Sequence, residues 1–321
     1  MAEEQYETHD EANAYIWEYY AEDYYFDYYE QDAADAITIY IYPIILFIGT
    51  IGNIFSLIIM YRLSHKVLST CIYLSVLAIV DLLVLYTRCG NDWLLKVSHV
   101  DLSHTLMISS DSVCKVYPFF FNFLFHTSKW LLVCTATEGM ISTCYPERMY
   151  TMCTISRAKV IIMLLTVILI CINIHYFWSF DLILFKEYGN AWFCTFAKHG
   201  HQQSEEFQEI IWPLMDLSIA QVIPIFTLTI YTCIMIRWIC KGNHRGDIKH
   251  QRWRERYQLY PEAMDHLKVT ITGVSIMFLA LNLPKFVFTI FQYFVNKYEL
   301  VELSMKFTVQ MDLARTVCDM L

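Results

Sequence analysis

The chain has 321 residues, of which 56% are apolar, 16% aromatic and only 17% charged. Globular domains carry roughly 25% charged and about 45–50% apolar residues, so this composition excludes an ordinary water-soluble enzyme, a disordered chain and a disulfide-framework protein. The formal net charge of −9 is also lopsided, because residues 1–35 hold twelve acids and no Lys or Arg, leaving 20 acids against 23 bases in the rest.

In chain order, residues 1–35 form an acidic tail with eight Tyr, among them Tyr24, Tyr25, Tyr28 and Tyr29. A tail of this composition buries little apolar surface and is expected to be disordered. Apolar stretches follow. About 20 apolar residues of helix cross a bilayer core of about 30 Å. Residues 36–61 and 160–180 carry no charge; 67–87 carries Asp81, 112–137 carries Lys115 and Lys129, 210–236 carries Asp216 and 269–295 carries Lys285. A seventh segment, 301–321, is interrupted by five charges. Backbone groups in lipid find partners only within a helix or a closed barrel. The reading is therefore an all-α, seven-helix transmembrane domain over 36–321, whose last helix is expected to be incomplete at Leu321.

The loops set the orientation through the bias of bases to the inner side. With the amino-terminus outside, the inner loops (62–66, 138–159, 237–268) hold 13 Lys/Arg, whereas the outer segments hold 7 against 22 acids. The opposite orientation would put the bases outside. The third inner loop contains the basic run 250–257, which serves either topogenesis or docking of a partner.

Several motifs occur in a fixed order along these helices. Asn53 follows Gly52 in the first, and Leu77-Ala-Ile-Val-Asp81 occupies the second. Cys114 opens the third, and Glu138 lies 24 residues later, about 36 Å along a helix and so at the opposite membrane face. Glu138-Gly139-Met140 runs on to Cys144-Tyr-Pro146, Pro224 sits in the fifth helix, and the sixth holds Phe278-Leu-Ala-Leu-Asn282-Leu-Pro284. This series resembles the rhodopsin-like G-protein-coupled receptors, with their LAxxD, (D/E)RYxxxCxP and FxxCWxP signatures. The departures are specific. Gly139 and Met140 stand where the family has Arg and Tyr, Asn282 replaces the Trp before Pro284, Thr166 takes the place of the fourth-helix Trp, and no NPxxY occurs before Leu321.

The resemblance implies a disulfide between Cys114 and Cys194, tying the third helix to the second outer loop. It also implies that Asp81, with Ser128 in the third helix and Asn53 nearby, forms a polar core that can hold a sodium ion in the resting state. An acid inside a membrane helix is a functional residue by default. Lys129 is unusual at such a site: either its ammonium reaches Asp81 or the Asn282 region and replaces sodium, or it hydrogen-bonds helix carbonyls. Pro224, Phe278, Asn282 and Pro284 are expected to form the core that repacks on activation. Glu138, Gly139 and Met140 mark the inner face that couples to a heterotrimeric G protein, with coupling weakened by the missing Arg.

The amine-binding Asp of the family is replaced by Phe121, which argues against a biogenic amine. The acid-flanked Tyr resemble the sulfated tails of peptide receptors, and a focused negative field draws in cations. A basic extracellular peptide is thus the expected ligand, with Phe121 and the tail Tyr facing it, at the plasma membrane and in contact with lipid. No cofactor beyond sodium and no nucleic acid is expected. An enzyme is not, because there is no nucleotide loop, metal-spaced His/Cys cluster or nucleophile elbow. The rivals are a peptide-binding decoy that does not signal, and an ion transporter or channel using Asp81, Lys129 and Asp216.

Overall fold

The computed structural model describes residues 35–62, 69–185, 191–196, 211–242 and 261–297. Six long helices account for most of them: α1 (Asp35–Arg62), α2 (Thr70–Ser98), α3 (Asp111–Cys144), α4 (Ile155–Asn173), α5 (Trp212–Cys240) and α6 (Pro261–Lys297). The acidic tail and the seventh segment lie outside the described residues. Helices α1, α2 and α5 are long and apolar enough to cross a membrane unaided, as is α4 continued through the single turn Tyr176–Ser179; α6 carries a shorter apolar stretch, Lys268–Pro284. On α4, Val160, Ile161, Leu164, Val167 and Ile168 are exposed. Apolar side chains on the outside of a bundle are what a bilayer would cover.

The bundle is built around α3, whose 34 residues make a rod of about 50 Å. Ser110 caps it, its hydroxyl accepting the Val113 N–H at 3.3 Å. One face of α3 places Leu124 and Leu131 against Tyr73 and Val80 of α2 and Ala158 of α4. The other places Leu132, Val133 and Ala136 against Leu228 of α5, with Phe278 and Leu279 of α6 closing the cluster. Helices α2, α4, α5 and α6 all pack on α3.

Two helices widen by one π turn, Tyr86–Gly90 in α2 and Ser218–Val222 in α5. The second immediately precedes Pro224, which lacks the N–H that a regular α-helix needs there. The backbone oxygen freed in that turn is used: the Trp130 indole N–H donates to Ile219 O at 3.2 Å.

Between α4 and α5 the chain forms a hairpin. Residues Phe180–Phe185 (β1) and Ala191–Phe196 (β2) pair as an antiparallel hairpin, with Leu182 opposite Cys194. Across the two strands the Phe180 and Phe196 rings lie 4.5 Å apart and those of Phe185 and Phe193 5.6 Å apart. Three ties fix the hairpin to the top of α3: the Cys114–Cys194 disulfide, the Lys115–Asp181 ion pair at 2.9 Å, and the Leu182 N–H donated to Asp111 at 3.4 Å. Beside it, the short helix Leu102–Met107 is capped by Asp101, which accepts the His104 N–H at 3.0 Å. Partial burial opposes ionisation of Asp101, but bonds from Ser103, the His104 N–H and Asn91 outweigh it and hold the carboxyl below its ordinary range.

The disulfide closes a loop of 80 residues, so Cys114→Ser is expected to cost about 2–4 kcal/mol, read as a lower Tm of the purified protein in nanodiscs. Cys89→Ser, at a half-buried free thiol, is expected to leave Tm almost unchanged.

Candidate functional site

The polar side chains expected to carry function sit at three depths along α3. At the end of α3 away from Cys114, Glu138 is buried, and its carboxylate accepts the hydroxyls of Ser69 at 2.9 Å and Thr70 at 2.7 Å, both at the start of α2. The acid is therefore satisfied without an Arg. Gly139 is the next residue, and the inner half of α6 comes down onto it. A Cβ there would stand 2.8 Å from Ile271 Cγ2 and 3.3 Å from Met235 Sδ. Ile271 and Met235 are themselves buried. The position expected to couple through a long cation is instead the floor of a close apolar contact among α3, α5 and α6. Met140 lies half-buried beside it.

At mid-depth, Ser128 donates its hydroxyl to Asp81 at 2.5 Å, joining α3 to α2 as expected. The ammonium of Lys129 lies over the ring of Phe125, 4.0 Å from the centroid. Consecutive helical residues point about 100° apart, so a helix that turns Ser128 to α2 turns Lys129 elsewhere. Asn282 is also occupied locally, donating to Phe278 O at 3.0 Å, and Asn53 donates to Gly49 O at 3.0 Å within α1. Neither reaches Asp81. Pro224 is fully buried, and Phe278 packs on the Leu132–Leu228 cluster, whereas Pro284 is exposed among the described residues.

In the half of α3 nearer Cys114, Phe121 is half-buried, close in sequence to the stacked pair Phe119 and Phe123, with Phe177 5.0 Å from Phe119. Tyr24, Tyr25, Tyr28 and Tyr29 lie outside the described residues. Between Phe121 and Ser128 is a cluster the sequence reading did not assemble. His126 is fully buried, with Nε2 2.9 Å from Asp216 Oδ1 on α5 and Nδ1 3.1 Å from Asn173 Nδ2 on α4. Next to it the His175 ring lies 3.6 Å from that of Trp212, tilted by 45°. Asp216 was visible as a charge in an apolar span. Its partner, 90 residues earlier, could not be read without the rotational setting of α3 against α5.

The three charges of the transport reading, Asp81, Lys129 and Asp216, are thus held in three different contacts, with Ser128, Phe125 and His126.

Comparison with known proteins agrees with this architecture. The sequence model described as 7 transmembrane receptor (rhodopsin family) matches residues 52–319. The thyrotropin-releasing hormone receptor of Mus musculus is 26% identical over 194 residues, which is 60% of this chain and 47% of that receptor. The chain thus aligns with about half the length of that relative. The match is to receptors, not to an enzyme family. With the motifs in register and the family matched over most of its length, the chain belongs to the rhodopsin family of seven-transmembrane receptors, multi-pass membrane proteins built as a seven-helix bundle.

Proposed function

We propose that the protein is a plasma-membrane receptor for an extracellular basic peptide, with its amino-terminus outside and its coupling to a heterotrimeric G protein weakened at Gly139. The observation that carries this reading is the twelve acids and eight Tyr in the first 35 residues, joined to a bundle of the receptor family. The similar mouse protein is, by its name, a receptor for a hormone. The positive-inside bias supports the orientation. The ligand would be gathered by the acidic tail, pass beneath the hairpin held by Cys114–Cys194, and settle among the aromatic side chains around Phe121. Its binding would shift α5 and α6 past Pro224 and Phe278. The inner ends around Glu138 and the 237–268 loop would receive the movement.

Asp81 and Ser128 fit a resting-state sodium ion: an intramembrane carboxylate and a hydroxyl, an oxygen donor set that suits a hard cation. The ammonium of Lys129 over Phe125 supports an ion at Asp81 rather than its replacement. Added sodium is expected to weaken agonist binding, and Asp81→Asn is expected to abolish that effect.

The ligand class is tested by screening a library of basic peptides for G-protein activation in cells expressing the full chain. Neutralising the tail acids to Asn and Gln is expected to lower the potency of any agonist about tenfold and to flatten its salt dependence. Agonists that are neutral or acidic and indifferent to the tail would refute the basic-peptide reading.

Weakened coupling makes a separate prediction. Gly139→Ala drives a methyl into Ile271, an overpacking that costs about 1–3 kcal/mol. If the contact holds the resting arrangement, Tm falls and basal G-protein activity rises. Adding Ile271→Ala, which makes room, should restore both, as a double-mutant cycle would record.

A further inference from the structure

We propose that Asp216 is the counter-ion for a cationic group of the ligand, a guanidinium or an ammonium, with His126 and Asn173 as its positioning residues. The proposal rests on the peptide-receptor reading and names the place in the bundle where that ligand's charge is recognised.

The first argument is position. Along α5 the residues Trp212, Asp216, Ala220, Pro224 and Leu228 recur at four-residue steps, and the other four are buried while Asp216 keeps 35% of its side chain exposed. Asp216 is therefore on the stripe that faces the bundle. It lies one turn, about 6 Å, below Trp212 at the outer end of the helix.

The second argument is charge, and it follows from the hydrogen bonds. The Asn173 amide nitrogen is 2.8 Å from Leu169 O and 3.1 Å from His126 Nδ1. A carbonyl oxygen only accepts, so the group facing Leu169 is the NH2, and its second hydrogen points at Nδ1. Nδ1 must then be the bare nitrogen, and the ring is the neutral tautomer whose Nε2–H donates to Asp216 at 2.9 Å. An imidazolium would set N–H against N–H at Asn173. Turning the amide to relieve that would set its oxygen against Leu169 O. The pair is thus a hydrogen bond from a neutral His to a carboxylate, not an ion pair, and no Lys or Arg among the described residues bonds Asp216.

The third argument is the open valence. Oδ1 is held by His126, while Oδ2 has no partner among the described residues. His175 and Tyr176 lie near enough to feel the charge of Asp216, and the cations Arg88 and Lys129 are placed over Phe125. A carboxylate in apolar surroundings is costly unless a cation meets it. Asp216 offers one oxygen, one charge and a geometry fixed from behind by a fully buried His.

The test uses the full chain in nanodiscs and two probes, acetyl-Phe-Arg-Phe-amide and its citrulline counterpart, which keeps the shape of the side chain without its charge. Wild type is expected to bind the Arg peptide at least tenfold more tightly than the citrulline peptide by titration calorimetry. Asp216→Asn should reduce that preference to within twofold, with Asp216→Ser as the substitute if the Asn variant does not fold. Asp216→Glu should retain it. His126→Gln, which keeps a donor, should preserve most of the preference, whereas His126→Phe should lower it; a merely structural His would give equal losses in affinity for both peptides. An Arg preference that survives Asp216→Asn overturns the assignment. Equal binding of both peptides by wild type overturns it too while leaving the peptide-receptor reading in place. Binding of neither also counts against it, and the peptide reading is then decided by the library screen.

Discussion

A bilayer offers no hydrogen-bond partner to a buried side chain, and that constraint organises this bundle around α3. Every polar group that α3 presents to a neighbour must be met by that neighbour. Glu138 is met by Ser69 and Thr70 of α2, Ser128 by Asp81 of the same helix, and Trp130 by a backbone oxygen of α5. His126 is met by Asn173 of α4 and Asp216 of α5 together. Apolar packing alone would leave helices free to slide and rotate, because lipid is as apolar as Leu. These bonds fix depth and rotation, so the large apolar clusters can remain nonspecific in composition.

The irregular turns serve the same end. A π turn takes more residues per turn than an α-helix. Inserting one at Ser218–Val222 allows the stripe that begins at Trp212 and Asp216 to continue inward through Pro224 to Leu228. Without it, a strictly α-helical α5 would rotate its outer half away from α3. The turn also presents Ile219 O to Trp130. Pro224 and the π turn are then one device that sets the direction of the outer half of α5, and with it the direction of Asp216.

Much of this was legible in the sequence because it depends on local spacing. Uninterrupted apolar stretches located the helices, and the 24 residues from Cys114 to Glu138 placed the two ends of α3. Ser128 against Asp81 followed from resemblance to the family, as did the Cys114–Cys194 bridge. Direction was less legible. Lys129, read either against Asp81 or the Asn282 region or on helix carbonyls, has its ammonium over Phe125, one turn back on its own helix. The neighbours of Gly139 were also out of reach, since Ile271 and Met235 come from helices more than 90 residues away and nothing in their types marks them as partners. The hairpin was not read because two six-residue strands without clear alternation carry a weak signal.

The middle and one end of α3 solve the burial of polar groups in opposite ways. Near the middle His126 and Asn173 hold Asp216 in place and leave one of its oxygens open among the described residues, which suits a site meant to receive a cation. At the end away from Cys114, Glu138 is engaged by two hydroxyls from α2, and the next residue is Gly, with α6 seated directly on it. In the family one Arg both pairs with the neighbouring acid at rest and meets the G protein on activation. Here hydroxyls satisfy the acid, and a close apolar contact seats α6 on the glycine. A contact of Ile271 and Met235 on a bare backbone has no charge to screen. Its strength is therefore set by packing and responds to a single methyl group, while salt leaves it untouched.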